Sequence, residues 1–128
     1  MIRLELPLAP SANSLWGHGN GRVYRSQKYK DWLEEAGWMI KQQTKKIIFG
    51  DYILQVSAVR PNKKRRDLDN LLKATSDLLV RTGIVADDQF CRAIVAEWAD
   101  EGPAMVVKIF PLPQEEYSLW TEIPMLRN

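Results

Sequence analysis

The sequence predicts a two-layer α+β fold, with helices packed on one mixed β-sheet and elements in the order β-α-β-α-β-β. Short segments in which apolar and polar residues alternate indicate strands, and two longer segments with helical spacing of apolar residues indicate helices. Turns that contain glycine or proline separate these segments. The 128 residues, 45% of them hydrophobic and 27% charged, have the size and composition of one globular domain.

The first half of the chain predicts one strand, one loop and one long helix. Residues 2–8 alternate between aliphatic and other side chains, which is typical of a half-buried strand, and Pro10 ends it. Three glycines in residues 17–21 indicate a flexible loop or the tip of a hairpin. Ser26 is placed to cap a helix that we expect to continue to about Lys46. The apolar stripe of that helix is Tyr29, Trp32, Leu33, Ala36 and Ile40.

The second half predicts a strand over residues 52–60, with Leu54, Val56 and Ala58 on one face, followed by a helix and two more strands. The helix covers residues 67–82, and Gly83 suits the turn that ends it. The last two strands cover residues 90–98 and 104–110 and are joined by a polar turn. We expect residues 1–111 to form the domain and residues 112–128 to be a C-terminal tail, to which the sequence assigns no role.

Several classes of protein and site are excluded by what the sequence lacks. No run of 18 apolar residues exists, and the N-terminus alternates instead of forming an apolar block, so we expect a cytoplasmic protein with no membrane partner. One cysteine, Cys91, and one histidine, His18, supply neither an internal disulfide nor a structural zinc site. Cys91 lies in an apolar strand, so we expect a buried, unreactive thiol. No nucleophile elbow, phosphate-binding loop or dinucleotide-binding motif is present.

Charge is distributed unevenly along the chain. Residues 1–66 carry thirteen Lys or Arg and five Asp or Glu, whereas residues 67–128 carry five and eleven. The sign reverses within residues 63–69, where four cations precede two aspartates. Such asymmetry is typical of contact with nucleic acid. Trp16, in the glycine-rich loop, is a candidate for stacking on a base.

Four aspartates and one lysine form the constellation most capable of chemistry. Asp67 and Asp69 stand at the start of the second predicted helix, where carboxylates also serve simply to stabilise the helix N-terminus. Lys73 follows Asp69 by four residues, which predicts a shared helix face, and Asp87-Asp88 comes where the chain re-enters the sheet. Clustered carboxylates bind hard divalent cations, and Mg²⁺ takes one or two of them together with water and phosphate.

Two motifs resemble the RusA family of Holliday-junction resolvases. The first is the tract Arg65-Arg66-Asp67-Leu68-Asp69-Asn70-Leu71-Leu72-Lys73, and the second is Gly83-Ile84-Val85-Ala86-Asp87-Asp88-Gln89. The loop Pro10-Ser11-Ala12-Asn13 and the position of Pro61 before the basic run are also similar to that family. The resemblance covers roughly residues 2–110.

The resemblance implies a homodimeric endonuclease that uses Mg²⁺, or Mn²⁺, to cut four-way DNA junctions and that is encoded by a bacterium or phage. By position, Asp67, Asp69 and Asp88 would be the catalytic metal ligands, and Lys73 their essential basic partner. We expect the DNA-contacting residues to be Asn13, Lys63, Lys64, Arg65 and Arg66. Two alternatives stay open, a less selective nuclease for branched DNA and a DNA-binding module without catalytic activity. For the dimer interface, the candidates are the apolar strands 90–98 and 104–110 or the helix face around Trp32 and Trp38.

Overall fold

Residues 1–113, which the computed structural model describes, form the predicted α+β fold. The strands are β1 (Ile2–Leu6), β2 (Trp16–Gly19), β3 (Arg22–Arg25), β4 (Tyr52–Val59), β5 (Cys91–Ala99) and β6 (Met105–Pro111). The α-helices are α1 (Gln27–Gln43) and α2 (Leu72–Arg81), and single 3₁₀ turns cover Ala12–Ser14, Leu68–Leu71 and Asp88–Phe90. Four strands make one sheet in the order β1-β6-β4-β5, and β2 pairs only with β3. The sheet is mixed, because β4 and β5 are parallel and the other neighbours are antiparallel.

Strand β4 lies at the centre of the fold, between β6 and β5. Leu54, Val56 and Ala58 are buried in the main core, which the helices cover, as the alternation predicts. Ile53 points to the opposite face and packs with Leu112 in a second, smaller apolar cluster. A strand that is hydrogen-bonded on both sides and buried on both faces accounts for the nearly continuous apolar sequence here.

Helix α1 begins where the sequence predicts. The Ser26 side chain accepts a hydrogen bond from the Tyr29 backbone N–H at 3.1 Å, and this satisfies one of the unpaired donors of the first turn. The predicted apolar stripe (Tyr29, Trp32, Leu33, Ala36 and Ile40) is buried. The helix ends at Gln43, three residues before the predicted end, because Thr44 is extended. Of the two tryptophans in this helix, Trp32 is buried and Trp38 is exposed.

The continuous helix predicted over residues 67–82 is wrong at its start. Residues 68–71 form a 3₁₀ turn, in which the Asn70 N–H donates to the Asp67 carbonyl and the Leu72 N–H to the Asp69 carbonyl. These bonds span three residues instead of four, and the α-helix begins only at Leu72. The helix ends at Arg81, one residue before the predicted end, and Gly83 makes the predicted turn with a φ of +78° that favours glycine.

The predicted element order lacks one feature, the β2–β3 hairpin. Of the two alternatives for residues 17–21, a flexible loop or a hairpin tip, the structure has the tip. Asn20 and Gly21 both have positive φ, and Gly19 pairs with Arg22 across a two-residue connection. Asn-Gly at this position is a strong hairpin signal, so both flanking strands could have been predicted from the sequence.

The described part of the chain ends just after β6. Leu112 is buried, and its N–H donates to the Asp51 carbonyl at 3.0 Å. The rest of the predicted tail, from residue 114 onward, lies outside the described residues. Within residues 1–113, neither helix is long and apolar enough to cross a membrane.

Candidate active site and DNA-facing surface

The 3₁₀ turn Leu68–Leu71, with Asp67 before it, is the first acidic turn, and it presents two carboxylates to solvent. Asp67 precedes the turn in an extended conformation, yet its side chain makes no capping hydrogen bond. Its nearest cation is Arg65, whose Nε lies 3.9 Å from Asp67 Oδ1 and whose side chain is 93% exposed. The exposed Asp69 carboxylate has no hydrogen-bond or ion-pair partner among residues 1–113. Capping therefore does not explain why these two carboxylates are present.

The 3₁₀ turn Asp88–Phe90, with Asp87 before it, is the second acidic turn, and the side chain of its first aspartate does make a capping hydrogen bond. Asp87 precedes the turn, and its Oδ1 accepts a hydrogen bond from the Gln89 N–H at 3.0 Å. That bond is the main reason why the pKa of Asp87 is lowered. Asp88 is exposed and begins the turn. Of this pair, Asp87 has a structural role, and Asp88 is the one presented to solvent.

The structure does not assemble Asp67, Asp69 and Asp88 into one ready-made metal site. Among the described residues, no three acidic, histidine or cysteine side chains form a group that could hold a metal ion. Asp88 stands just before β5 at the end of the sheet where β4 and β5 both begin, whereas Asp67 follows the loop from the other end of β4. The 3₁₀ turn at 68–71 does contact β5, and the turn at 88–90 contacts α2.

Lys73 lies on α2, whereas Asp69, with which the four-residue spacing predicts a shared helix face, lies outside that helix. A 3₁₀ turn holds Asp69, so the α-helical spacing does not extend back to it. Lys73 Nζ instead lies 3.3 Å from Asp77 Oδ1, four residues further along α2. The other carboxylate oxygen, Asp77 Oδ2, accepts a hydrogen bond from the Tyr29 hydroxyl at 2.9 Å.

Tyr29 and Asp77 are residues that sequence reasoning missed. Tyr29 is fully buried on α1, and burial together with its hydrogen bond to Asp77 raises its pKa, so its hydroxyl stays a donor. Asp77 is thereby held between Tyr29 and Lys73. The spacing of Lys73 and Asp77 was a usable signal for their ion pair. The partnership with Tyr29 joins residues 48 positions apart, and no local pattern indicates it.

A cleft joins the opening loop (residues 7–13) to the basic tract (residues 63–66). It has a volume of about 360 Å³ and is lined by Ser11, Asn13, Lys64, Arg65, Arg66, Asp67, Asn70 and Leu71. The structure thus brings Asn13 together with three of the four predicted basic residues and one predicted carboxylate. Lys63 is exposed on the same tract but does not line the cleft. The partly buried Arg66 keeps its Nε–H without a hydrogen-bond partner in the described part of the chain.

Hydrogen bonds hold the opening loop in place. Trp32 Nε1 donates to the Pro7 carbonyl at 3.0 Å, and this bond joins the loop to helix α1. The Ser11 hydroxyl accepts from the Asn13 N–H at 3.3 Å, and the turn at 12–14 contacts the acidic turn at 68–71. Asn13 is therefore carried beside the acidic turn by an ordered segment.

The two remaining reactive side chains, Cys91 and His18, lie on separate elements, β5 and β2. Cys91 is half-buried at the start of β5, and its thiol contacts the Ala93 carbonyl at 3.5 Å. Burial raises its pKa, so the thiolate is disfavoured near neutral pH. His18 is exposed on β2. The expectation of an unreactive Cys91 agrees with this environment.

Comparison with known proteins gives a consistent family assignment. The profile of the family described as Endodeoxyribonuclease RusA matches residues 5–110. A crossover junction endodeoxyribonuclease of Enterobacteria phage HK97 is 34% identical over 86 residues, which are 66% of this chain and 71% of the relative. The Aquifex aeolicus (strain VF5) protein of that description is 28% identical over 89 residues, covering 66% and 67%. The one from Escherichia coli (strain K12) is 31% identical over 86 residues, covering 66% and 72%.

Proposed function

The chain belongs to the RusA family of endodeoxyribonucleases, and on that premise we propose that it resolves four-way DNA junctions by cutting two symmetric phosphodiesters. The observation that carries this proposal is the exposed Asp67–Asp69 turn, whose carboxylates cap nothing and which borders a basic cleft. Relatives from bacteria and phages carry the name crossover junction endodeoxyribonuclease, so we place the chain at cytoplasmic DNA undergoing recombination.

The basic cleft is the surface that we propose binds the DNA backbone. Lys63, Lys64 and Arg65 are exposed, so their cations are available to phosphates. Arg66 lines the cleft, and its Nε–H has no hydrogen-bond acceptor among residues 1–113. Asn13 lines the same cleft and offers a neutral amide that can donate to a phosphate or to a base edge. Backbone contacts of this kind position the duplex arms without reading their sequence.

For the metal, we propose Mg²⁺, with Mn²⁺ as an accepted substitute, held by Asp67, Asp69 and Asp88. The donor chemistry fits, because exposed carboxylate oxygens are the ligands that these hard cations select. Asp67 and Asp69 share one turn and supply the one or two carboxylates that Mg²⁺ needs when substrate phosphate and water complete its shell, and Asp88 would add a third from the other turn. When bound, the ion would neutralise phosphate charge and make hydroxide available near neutral pH.

Lys73 is the basic partner in this proposal. It is the second residue of α2 and follows Asp69 by four residues. Its ammonium forms an ion pair with Asp77. The Tyr29 hydroxyl donates to Asp77 Oδ2, the oxygen that does not contact Lys73. This hydrogen bond orients the Asp77 carboxylate, and with it the ion pair to Lys73. A lysine so held can approach the scissile phosphate and stabilise the charge that develops on it.

We propose a homodimer, because resolving a junction takes two opposed nicks and each chain carries one acidic site. A two-fold axis would relate the two sites as it relates the two cut strands. Of the interface candidates, β6 lies inside the sheet and Trp32 is buried, so neither offers a free edge or an exposed ring. The edge strand β5, with exposed Ile94, and the exposed Trp38 surface remain candidates.

One cleavage panel separates this function from its two alternatives. A synthetic four-way junction and a linear duplex with the same sequence are incubated with the full chain in Mg²⁺ or in EDTA. A resolvase nicks the junction in Mg²⁺, leaves the duplex intact and is inactive in EDTA. Equal cutting of both substrates would indicate a less selective nuclease. Binding without nicking under any divalent metal would indicate a DNA-binding module and overturn the proposal.

The products formed from a supercoiled plasmid with an extruded cruciform test the dimer. Two sites acting within one bound complex produce linear DNA at limiting enzyme. A monomer that dissociates after one nick leaves nicked circles, because that nick releases the supercoiling that maintains the cruciform. Mass by light scattering completes the test. Nicked circles from a particle of monomer mass would contradict the dimer while leaving junction nicking possible.

A further inference from the structure

We propose that the β2–β3 hairpin is a stacking platform for unstacked bases at the centre of branched DNA. This inference rests on the proposed function and adds to it a second DNA-contacting element, separate from the basic cleft. The hairpin belongs to neither layer of the fold, since β2 pairs only with β3. All four residues of β3 are exposed, as is most of β2.

Charge around the hairpin favours a polyanion. Residues 6–30 contain no Asp or Glu, and they carry Arg22, Arg25, Lys28 and Lys30. Arg22 stands beside the turn at the hairpin tip, opposite Gly19. A ribbon that carries cations and no carboxylate of its own favours contact with phosphate.

On one face of the hairpin, an aromatic ring packs over two glycines. Residues paired across the ribbon share a face, so Gly17 and Tyr24 lie together, as do Gly19 and Arg22. The Tyr24 ring lies against Gly17 so closely that a Cβ there would overlap it, and it also reaches over Gly19. Tyr24 is nevertheless 49% exposed. Two glycines thus let a tyrosine lie along the strand and present its surface to solvent, next to an arginine.

The base of the hairpin is anchored on the other face. Trp16 makes an edge-to-face contact with the buried Tyr29 ring, at 6.2 Å between centroids, and the Arg25 guanidinium lies 5.9 Å from the centre of that ring. The Ser26 N–H donates to the Leu15 carbonyl at 2.8 Å, and its hydroxyl donates to the Ser14 carbonyl at 2.6 Å. These contacts hold the base in a fixed position while the tip extends into solvent.

The same anchor places the hairpin beside the candidate active site. Tyr29 receives the hairpin base and also donates to Asp77, which holds Lys73. The turn at 12–14, which leads into the hairpin, contacts the acidic turn at 68–71. DNA bound at the acidic turn therefore has the platform within reach on the side of the opening loop.

The occupant that suits this surface is an unpaired or unstacked base. An aromatic ring stacks on any base that exposes its π-face, and an adjacent arginine contacts the flanking phosphate. Base pairs inside a duplex arm do not expose their faces, whereas bases at an open branch point do. The platform therefore favours a branched substrate over a linear duplex without reading its sequence.

The test measures junction and duplex affinities of Tyr24→Leu in Ca²⁺ or EDTA, without cleavage. Loss of one stacked base is expected to weaken junction binding roughly 5- to 150-fold and to leave duplex binding unchanged. Tyr24→Phe keeps the ring and should bind the junction like the unchanged chain. Val23→Ala is the matched control, since Val23 is 64% exposed but lies on the other face of the hairpin.

A fluorescent base analogue, 2-aminopurine, placed at the junction centre gives a second readout. The unchanged chain and Tyr24→Phe should alter its emission, and Tyr24→Leu should not. Unchanged junction affinity in folded Tyr24→Leu would overturn the inference, as would an equal loss on duplex DNA. Neither result affects the cleavage panel, so failure of the platform is distinguishable from failure of the proposed function. If the full chain neither prefers nor cuts junctions, both fail.

Discussion

The two acidic turns have the same local design, but they use it differently. Each is a 3₁₀ turn preceded by an extended aspartate, Asp67 in one and Asp87 in the other. Asp87 accepts the hydrogen bond from the turn, and Asp67 does not. The basic tract and the cleft adjoin only the first turn. The difference teaches that an aspartate before a turn is a cap only when its side chain is used as one, and an unused carboxylate calls for another explanation.

The largest effect is expected from Asp69→Asn. The amide keeps the shape of the side chain but removes a negative metal ligand, and a bound cation contributes several kcal/mol to stabilising the transition state. We expect junction cleavage to fall by about 100-fold or more, with junction binding kept or strengthened because repulsion of phosphate falls. Single-turnover cleavage and a binding titration check this. Cleavage at the rate of the unchanged chain would remove Asp69 from the metal site.

The second effect concerns the basic tract that only the first turn adjoins. Replacing Lys63, Lys64, Arg65 and Arg66 with alanine should flatten the logarithmic salt dependence of junction binding by about 3–4, at roughly 0.9 per phosphate contact. Titrations between low and moderate salt measure the slope. The matched control is Lys45→Ala/Lys46→Ala, two exposed lysines beyond α1, which should leave the slope unchanged. An unchanged slope in the fourfold variant would mean that the tract does not face DNA.

The third effect separates support of Lys73 from general stability. Tyr29→Phe removes the hydrogen bond to Asp77 and should cost about 1 kcal/mol of unfolding free energy. Asp77→Asn keeps an acceptor for Tyr29 but loses the charge that holds Lys73. We expect Asp77→Asn to slow cleavage more than Tyr29→Phe does, although it destabilises the fold less. Thermal unfolding and single-turnover rates of both variants check the order, and the reverse order in cleavage would contradict a role in holding Lys73.

Asp87→Asn should have little effect on cleavage, because asparagine caps as well as aspartate does. The effect of this substitution should be seen instead in how the stability of the fold depends on pH. The pKa of Asp87 is lowered, so its ionised form adds stability above its unfolded pKa, and this is lost as the pH falls through the folded pKa. The unchanged chain should lose its small advantage in melting temperature over Asp87→Asn below about pH 4. A large loss of cleavage in Asp87→Asn would make the two turns functionally alike.

The smallest effect is expected at Cys91. Burial raises the pKa of its thiol, so alkylation near neutral pH should be slower than that of a free thiol. Cys91→Ala should alter stability and leave metal-dependent cleavage intact. Mass spectrometry after timed alkylation and the cleavage panel measure both. Loss of cleavage in a folded Cys91→Ala protein would reopen a nucleophilic mechanism.

Structural features that depend on residues close together in the chain were predictable from the sequence. Ser26 lies three residues before the N–H that it caps, so the start of α1 carried a local signal. Gly83 supplies a left-handed turn, so the end of α2 carried one too. The split of the predicted second helix was not predictable, because its 3₁₀ turn has the same apolar spacing as an α-helical one. Contacts between distant residues, such as Tyr29 with Asp77, are set by packing and leave no mark on spacing. For that reason the candidate carboxylates were identified, and the contact of Tyr29 with Asp77 was not.

The order of the strands has a consequence for how the protein is made. Strand β1 pairs only with β6, and their register joins Ile2 to Ile109 and Leu6 to Met105. Strand β1 therefore leaves the ribosome about 5–20 s before its partner strand at ordinary rates of synthesis. During that interval its apolar side chains have no partner strand, and closing so long a loop is slow. We expect folding of the nascent chain to be completed only after β6 emerges, so a chain halted before Met105 should not reach the native fold.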